Sequence, residues 1–341
     1  MIKKKHGGLF RHSHIRTKLL LVIIPLVCLT IAAVKFYDYS VRLPELEKSV
    51  EKEMLSTAEL TATRLQVEIS KAVSAIETAA YNTAFLSDNK DEIMQELQSI
   101  KNQNPLYATV FLSDASLNRM NEEGDITSLA SREYMQEVQE TKETVISGEI
   151  LISQATNKPA IMVATPIKIS GAPESYLGIS IGTDALQKIV AEAQVSSSNY
   201  CFAFDGKDGL VFAHPSEKYV GSLKLLSPDD ADKELVAPEL TQMAQDAVSG
   251  HSGTQIYNFN GVKIVAAYAN IPGTSFGVAS RMNFDDAMES IRKEQLSAII
   301  ISLIAALIST VAAIGLSMLI ANPIKKIARQ ANTIASGDFT A

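Results

Sequence analysis

Apolar residues bunch at two places in the chain, 19–34 near its start and 296–321 near its end; between them they recur in short periodic groups among polar residues. The second bunch is 26 residues without a charge. At about 1.5 Å rise per residue it makes roughly 39 Å of helix, more than a hydrocarbon core of about 30 Å requires. The first, 16 residues containing Pro25, reaches only about 24 Å and needs Ile15, Phe36 and Tyr37 as flanking anchors. It slightly exceeds the apolar core of a cleaved leader and is followed by a polar helix pattern, so it is read as an anchor. Two crossings with a body between them is the layout this pattern predicts.

Within the body, Met54, Ala58, Ala62, Leu65, Ile69, Val73, Ile76 and Ala80 follow one another in steps of three and four. That spacing predicts one long amphipathic helix from Pro44 to Ala80. A second helix is predicted over Lys90 to Ile100, then a strand over Tyr107 to Leu112, a polar stretch through Gly124-Asp125, and a helix over Arg132 to Glu140. Strands over Val145 to Ser153, Ala160 to Lys168 and Leu177 to Gly182 and a helix over Asp184 to Gln194 complete a first lobe. After Ser196-Ser197-Ser198 the idea repeats. Asn199 to Phe204 and Leu210 to His214 flank an Asp-Gly-Lys-Asp-Gly turn, and helical material broken by Pro238 follows to about Val248. Thr254 to Phe259 and Val262 to Asn270 flank Asn260-Gly261, the strongest hairpin signal in the chain. A last strand, Ser275 to Met282, leads into a helix from about Phe284 that runs on into the second apolar run. Strands and helices mixed in this order predict an α+β fold: a long N-terminal helix and two stacked lobes, flanked by two transmembrane helices.

Charge orients this layout. The net charge is −7, and the flanks contribute +6 (Lys3, Lys4, Lys5, Arg11, Arg16, Lys18) and +2 (Lys325, Lys326, Arg329 and Asp338), which leaves −15 on residues 35–295. Basic flanks place both termini in the cytoplasm and the acidic body outside, a multi-pass protein of the cell membrane. An acidic body argues against nucleic acid as a partner. Of the two cysteines, Cys28 lies in the first run and Cys201 in the body, so the body has no internal disulfide and relies on its core. His6, His12 and His14 sit in a basic, glycine-containing tail without a cysteine or carboxylate nearby, and His214 and His251 are isolated. No metal-ligand spacing, nucleophile–base set or phosphate loop is visible, so no cofactor, metal or catalytic residue is expected.

Several of these features recur together in a known family. The long leading helix, Arg132-Glu133-Tyr134, the Pro166 and Gly178 strands, the Phe-Asp-Gly-Lys-Asp-Gly turn leading to Ala213-His214-Pro215 and Gly221, and the series Ser249-Gly250, Asn260-Gly261, Pro272-Gly273-Thr274 resemble double Cache (dCache) domains. The resemblance covers residues 36–290 and implies two PAS-like lobes of an extracellular ligand sensor. Residues after the second apolar run, with Pro323-Ile324 opening a helix, a seam at Ile324, Ile327, Ala331 and Ile334, and Ser336-Gly337-Asp338-Phe339 at its close, look like the first half of a HAMP linker.

In the amino-acid-binding subgroup of such sensors the distal lobe takes a carboxylate with an arginine and an aromatic pair, and an ammonium with a tyrosine and two aspartates. Arg132 and Tyr134 match the first positions; Met135 replaces the second aromatic, Ile150 and Ile152 the Tyr and Asp, and Thr183 the last Asp, with Asp184 one residue on. The resemblance thus implies a small ligand with a carboxylate or other acceptor group and an apolar body. Arg132, Tyr134, Tyr107, Thr165, Thr183 and Asp184 are the candidate ligand-binding residues; bonding of Arg132 to Gln136 or Glu133, and Tyr134 as core, stay open.

The expected organisation is a basic tail (1–18), a first span (19–35), the spine helix (36–80), a membrane-distal lobe (81–194), a membrane-proximal lobe (195–283), a helix with the second span (284–321) and a partial HAMP (322–341). Function is expected to be that of a homodimeric chemotaxis receptor, signalling through its second span to a methyl-accepting output domain, a histidine kinase and its coupling protein. The front end of a sensor histidine kinase or diguanylate cyclase, or an anchored binding protein, are the alternatives.

Overall fold

The computed structural model describes residues 25–26, 29–34, 36–37, 40, 43–230 and 232–335. The tail 1–18 with its three histidines, Cys28, part of the first apolar run and the closing Ser336-Gly337-Asp338-Phe339 lie outside the described residues. The chain divides into two compact units: Ser49–Ala287, and Met1–Lys48 with Met288–Ala341.

The spine is α1, Leu43–Ala79. Met54, Ala58, Ala62, Leu65, Ile69, Ile76 and Ala80 are buried, as the spacing predicts, and Ala72 is buried in place of Val73. At 3.6 residues per turn the apolar ridge drifts, which turns Ala72 rather than Val73 inward. Helix α2 (Lys90–Lys101) is capped by the Asn89 side chain, which accepts the Asp91 N–H. A first sheet then orders its strands β3-β2-β1-β7-β6-β4, with β5 also pairing β6. Its strands are β1 (Tyr107–Asp114), β2 (Asn118–Asn121), β3 (Ile126–Ser128), β4 (Val145–Ile146), β5 (Leu151–Ile152), β6 (Pro159–Pro166) and β7 (Ser175–Gly182). Helix α3 (Glu133–Thr141) covers one face and α4 (Thr183–Glu192) leaves the end of β7.

Two expectations change here. The polar stretch through Gly124-Asp125 is a hairpin, β2–β3, whose turn is built by the Asn121 side chain accepting the N–H groups of Glu123 and Asp125. The single strand expected over Val145 to Ser153 is two pieces, because the backbone between them bonds elsewhere. Gly148 O accepts the Gly206 N–H at 3.3 Å, and the Ile150 N–H goes to Asp205.

The second sheet runs β10-β11-β12-β8-β9, from β8 (Tyr200–Phe204), β9 (Val211–Ala213), β10 (Gly253–Phe259), β11 (Val262–Asn270) and β12 (Gly277–Asn283). Its β10–β11 hairpin turns at Asn260 (φ 51°) and Gly261 (φ 77°), the two left-handed residues such a turn requires. Helix α5 (Pro238–Val248) covers one face over Phe202, Phe204, Tyr257 and Ile264. Cys201 and Ser280 point to the other: Thr61 Oγ1 donates to Cys201 Sγ at 3.7 Å, and Ser280 Oγ donates to Met54 O at 2.9 Å. One helix thus packs along both sheets.

The two sheets share a device. Phe111 on β1 pairs with Gly178 on β7, and Phe204 on β8 pairs with Gly277 on β12. A Cβ on Gly178 would lie 2.1 Å from the Phe111 ring, and one on Gly277 would lie 2.4 Å from the Phe204 ring. Each glycine is the space in which an aromatic ring lies across the sheet.

Helix α6 opens at Phe284, the residue after β12, and runs to Ala335 as one helix with Pro323 inside it. Pro323 therefore does not open a new helix. It forgoes one backbone hydrogen bond, a loss the flanking helical turns absorb. Among the described residues no helix is long and apolar enough to cross a membrane.

Candidate functional site

Beneath the start of α3 the first sheet leaves a small cavity, ≈ 10 Å³ in volume, lined by Thr109, Phe111, Arg119, Leu129, Arg132, Tyr134, Ile152, Ser153, Gln154 and Met162. That is room for about one water molecule. Its walls come from β1, β2, α3, β5 and β6, so strands distant in sequence meet under one helix end.

Arg132 stands at the N-cap position of α3 without a side-chain cap bond. Its Nη2 reaches across the cavity mouth and donates to Ile152 O at 3.1 Å. Neither Gln136 nor Glu133 takes it: Gln136 Nε2 donates to Ala130 O at 2.7 Å, and Glu133 lies 3.8 Å from Lys207 Nζ. Tyr134, the second residue of α3, is buried in the core cluster with Met135 and Val138. Burial pushes its phenol up, against the pull of Arg132 and Arg119, so it stays neutral. Behind it, a second cavity of ≈ 330 Å³ separates α3 from the Gly206-Lys207 turn. Its acids face a cation: Lys207 lies 3.0 Å from Glu149.

The other expected residues do not join this pair. Side chains alternate along β6, and Ala160, Met162 and Ala164 face α3. Thr165 belongs to the opposite set. It lies 3.0 Å from the Thr144 hydroxyl, which in turn donates to Glu77 on the spine at 2.6 Å. Tyr107 also turns away, after an irregularity in β1, into an open groove of ≈ 930 Å³ between α1 and α2. Thr183 donates to Pro159 O at 3.2 Å where α4 leaves β7, and is not part of the cavity wall. Asp184 is exposed and pairs with Lys158 at 2.8 Å. Alternation allows a strand only every second residue toward a site, and none of these four lines the cavity.

One residue that sequence reasoning missed takes their place. Arg119 on β2 is only 3 % exposed, with its guanidinium carbon 5.8 Å from the centre of the Phe111 ring. Its Nε is buried and, among the described residues, has no hydrogen-bond partner. Burial pulls the guanidinium below the usual arginine value, while Tyr134, Glu122 and Asp125 hold it up and Arg132 opposes them. Glu122 is already engaged by Lys101 at 2.5 Å and by Thr109 at 2.7 Å. The cavity therefore presents two guanidiniums, a phenol and several hydroxyl and amide groups, and no carboxylate lines it. Such a set holds an anion and offers nothing to an ammonium. Among the described residues no cluster could hold a metal ion.

Comparison with known proteins agrees with this architecture. The methyl-accepting chemotaxis protein PctB of Pseudomonas aeruginosa is 23% identical over 335 residues, 94% of this chain and 49% of that protein, so the chain spans about half the length of this curated relative. The ligand-binding domain of the Pseudomonas fluorescens chemoreceptor CtaA, solved with L-isoleucine, superposes with a TM-score of 0.55 at 17% identity, covering 73% of this chain and 99% of that one. The extracellular domain of a protein described as a histidine kinase, mmHK1S-Z2, reaches a TM-score of 0.56 at 17% identity, covering 70% and 98%. A profile of the Cache domain in its dCache form matches residues 44–291. With its spine helix and two sheets inside that match, this chain belongs to the double Cache family of sensor domains, which bind ligands and are not enzymes.

Proposed function

We propose that this chain is the sensory and membrane-coupling part of a chemoreceptor, binding a small carboxylate-bearing molecule in the cavity under α3. The observation that carries this reading is that the mouth of the cavity and the tie between the two lobes are the same short segment. Arg132 holds Ile152 O, and two residues earlier the Ile150 N–H is held by Asp205 of the second lobe. A carboxylate at Arg132 competes with Ile152 O for the guanidinium, frees that segment, and alters its seat on the Asp205 turn. β8, which enters that turn, pairs with β12, and β12 leads directly into α6. Ligand then shifts the balance between two packings.

In this reading 81–194 is the distal lobe and 195–283 the proximal one. The uncharged run 296–321 crosses the cell membrane with both termini cytoplasmic, and residues 322–341 form the start of a HAMP-like linker. Small residues at Ala305, Ala306, Ser309, Ala312, Ala313 and Gly315 suit close helix packing in a homodimer. The output is chemotactic, through a methyl-accepting domain to a histidine kinase and its coupling protein. CtaA was solved with L-isoleucine and PctB with L-arginine; here the missing tyrosine at Ile150 and the missing acids at Ile152 and Thr183 turn preference away from the ammonium group.

The test is a thermal-shift screen of the purified full chain against organic acids, amino acids and nucleobases, with Arg132→Ala as control. A ligand that raises the melting temperature of the wild type and leaves Arg132→Ala unchanged is expected. If every shift survives in Arg132→Ala, the site lies elsewhere. A second reading, the front end of a histidine kinase, is favoured by the similarity to mmHK1S-Z2. Reading the gene past Ala341 separates the two, since a phospho-accepting histidine helix and a methylated heptad array differ plainly in sequence.

A further inference from the structure

Arg119 carries the reading of this site one step further, to the class of ligand. A buried arginine is ordinarily paired, because a desolvated donor left unmatched forfeits the hydrogen bonds it had in water. Arg119 Nε has no partner among the described residues, although its side chain is almost wholly enclosed and borders the cavity. The acids closest to it in charge, Glu122 and Asp125, are not in the cavity wall. Glu122 accepts from Lys101, Thr109 and the Val110 N–H, and Asp125 is held by Asn121. Among the described residues, Arg132 on the rim donates to a backbone carbonyl, Ile152 O. Both guanidiniums border the same space and meet no carboxylate there, and the N-terminus of α3 adds to the positive field.

We propose that Arg119 and Arg132 together form a two-arginine receptor for a small organic diacid, with one carboxylate taken by buried Arg119 Nε and the other replacing Ile152 O at Arg132. Phe111 and Met162 supply the apolar wall for the carbon chain. This rests on the assignment of the cavity as the ligand site. It differs from that assignment in requiring two anionic ends and no ammonium. The diacid enters by opening the mouth, since the closed cavity holds about one water.

Calorimetric titration of the full chain in detergent with succinate, butyrate and L-isoleucine tests it. Succinate is expected to bind at least about tenfold more tightly than either competitor. Arg119→Gln should weaken succinate by about tenfold or more while changing butyrate by less than about threefold, and Arg119→Lys should recover part of the loss. Wild-type protein that prefers butyrate or L-isoleucine, or binds none of the three, overturns the diacid assignment, and does so even where Arg119→Gln fails to fold. Binding of any probe that is lost in Arg132→Gln but indifferent to Arg119→Gln and Arg119→Lys also overturns it, and leaves the cavity as the ligand site. Binding indifferent to both arginines removes the cavity itself.

Discussion

Asp205 and Ile150, 55 residues apart in sequence, are joined by a hydrogen bond of 3.2 Å from the Ile150 N–H to Asp205 Oδ2. The same carboxylate accepts the N–H groups of Leu210 at 3.0 Å and Asp208 at 3.2 Å. One buried side chain therefore closes the β8–β9 turn and seats the first lobe on the second. Around it, Ser275 Oγ donates to Gly148 O at 3.3 Å.

Replacing Asp205 tests that joint. Asp205→Ala leaves three N–H groups without their acceptor and is expected to lower stability by about 2–4 kcal/mol, whereas Asp205→Asn keeps a carbonyl oxygen and should lose less than half as much. Urea denaturation followed by circular dichroism measures both. Equal losses would mean that the charge, not the acceptor, matters.

His214 sets a pH dependence. Burial drives its imidazole down to about 4, with the Ser216 N–H on Nδ1 and Arg281 nearby, and it sits among the rings of Tyr200, Phe202 and Tyr219. A folded pKa below the unfolded value of about 6.5 means that the neutral form favours the fold. This contribution is complete above about pH 7 and is lost as pH falls from about 6.5 to 4, by up to roughly 3 kcal/mol. Melting temperatures measured from pH 7.5 to 4 should fall in the wild type and fall distinctly less in His214→Gln.

Gly178→Ala pushes a methyl group into the Phe111 ring, so overpacking should cost about 1–3 kcal/mol. Because Arg119 lies over that ring, affinity for any ligand of the cavity should also fall. Gly277→Ala makes the same clash with Phe204 in the other sheet and should cost stability with affinity largely kept. Guanidinium melts and binding isotherms on the pair separate the two effects.

Cys201 is fully buried, and burial pushes its thiol up to about 11. In a Cys28→Ser background the folded protein should therefore take up maleimide at least about a hundredfold more slowly than the denatured chain. Rapid labelling of the native protein would show that β8 opens readily from the spine.

Thr165→Val and Asp184→Ala should leave ligand affinity within about twofold of wild type, since one faces the spine and the other pairs with Lys158 in solvent. Isothermal titration beside Arg132→Ala makes the contrast. A tenfold loss in either would place part of the site outside the cavity under α3.

Much of this architecture was legible in one dimension. Steps of three and four marked the spine helix, Asn260-Gly261 marked its hairpin, and Arg132-Glu133-Tyr134 marked the start of α3, because each depends on neighbours within one or two turns. The β2–β3 hairpin was not legible, since its buried positions are polar: Arg119 and Asn121 point inward while Ile126 on β3 is exposed. Nor was the break in the strand after Ile146, because the acceptor that draws its backbone away is on Asp205 in the other lobe.

What the sequence by itself determined is therefore most of the elements, their order and the two uncharged runs 19–34 and 296–321, all properties of local periodicity and composition. Tertiary structure alone decided which of the six candidate residues meet, because strand parity and sheet order set the direction of each side chain. It brought Arg119 from β2 under α3 beside Arg132, and turned Thr165, Tyr107, Thr183 and Asp184 elsewhere. A binding site is a convergence of side chains across hydrogen-bonded strands, and that register is written in no single stretch of the chain.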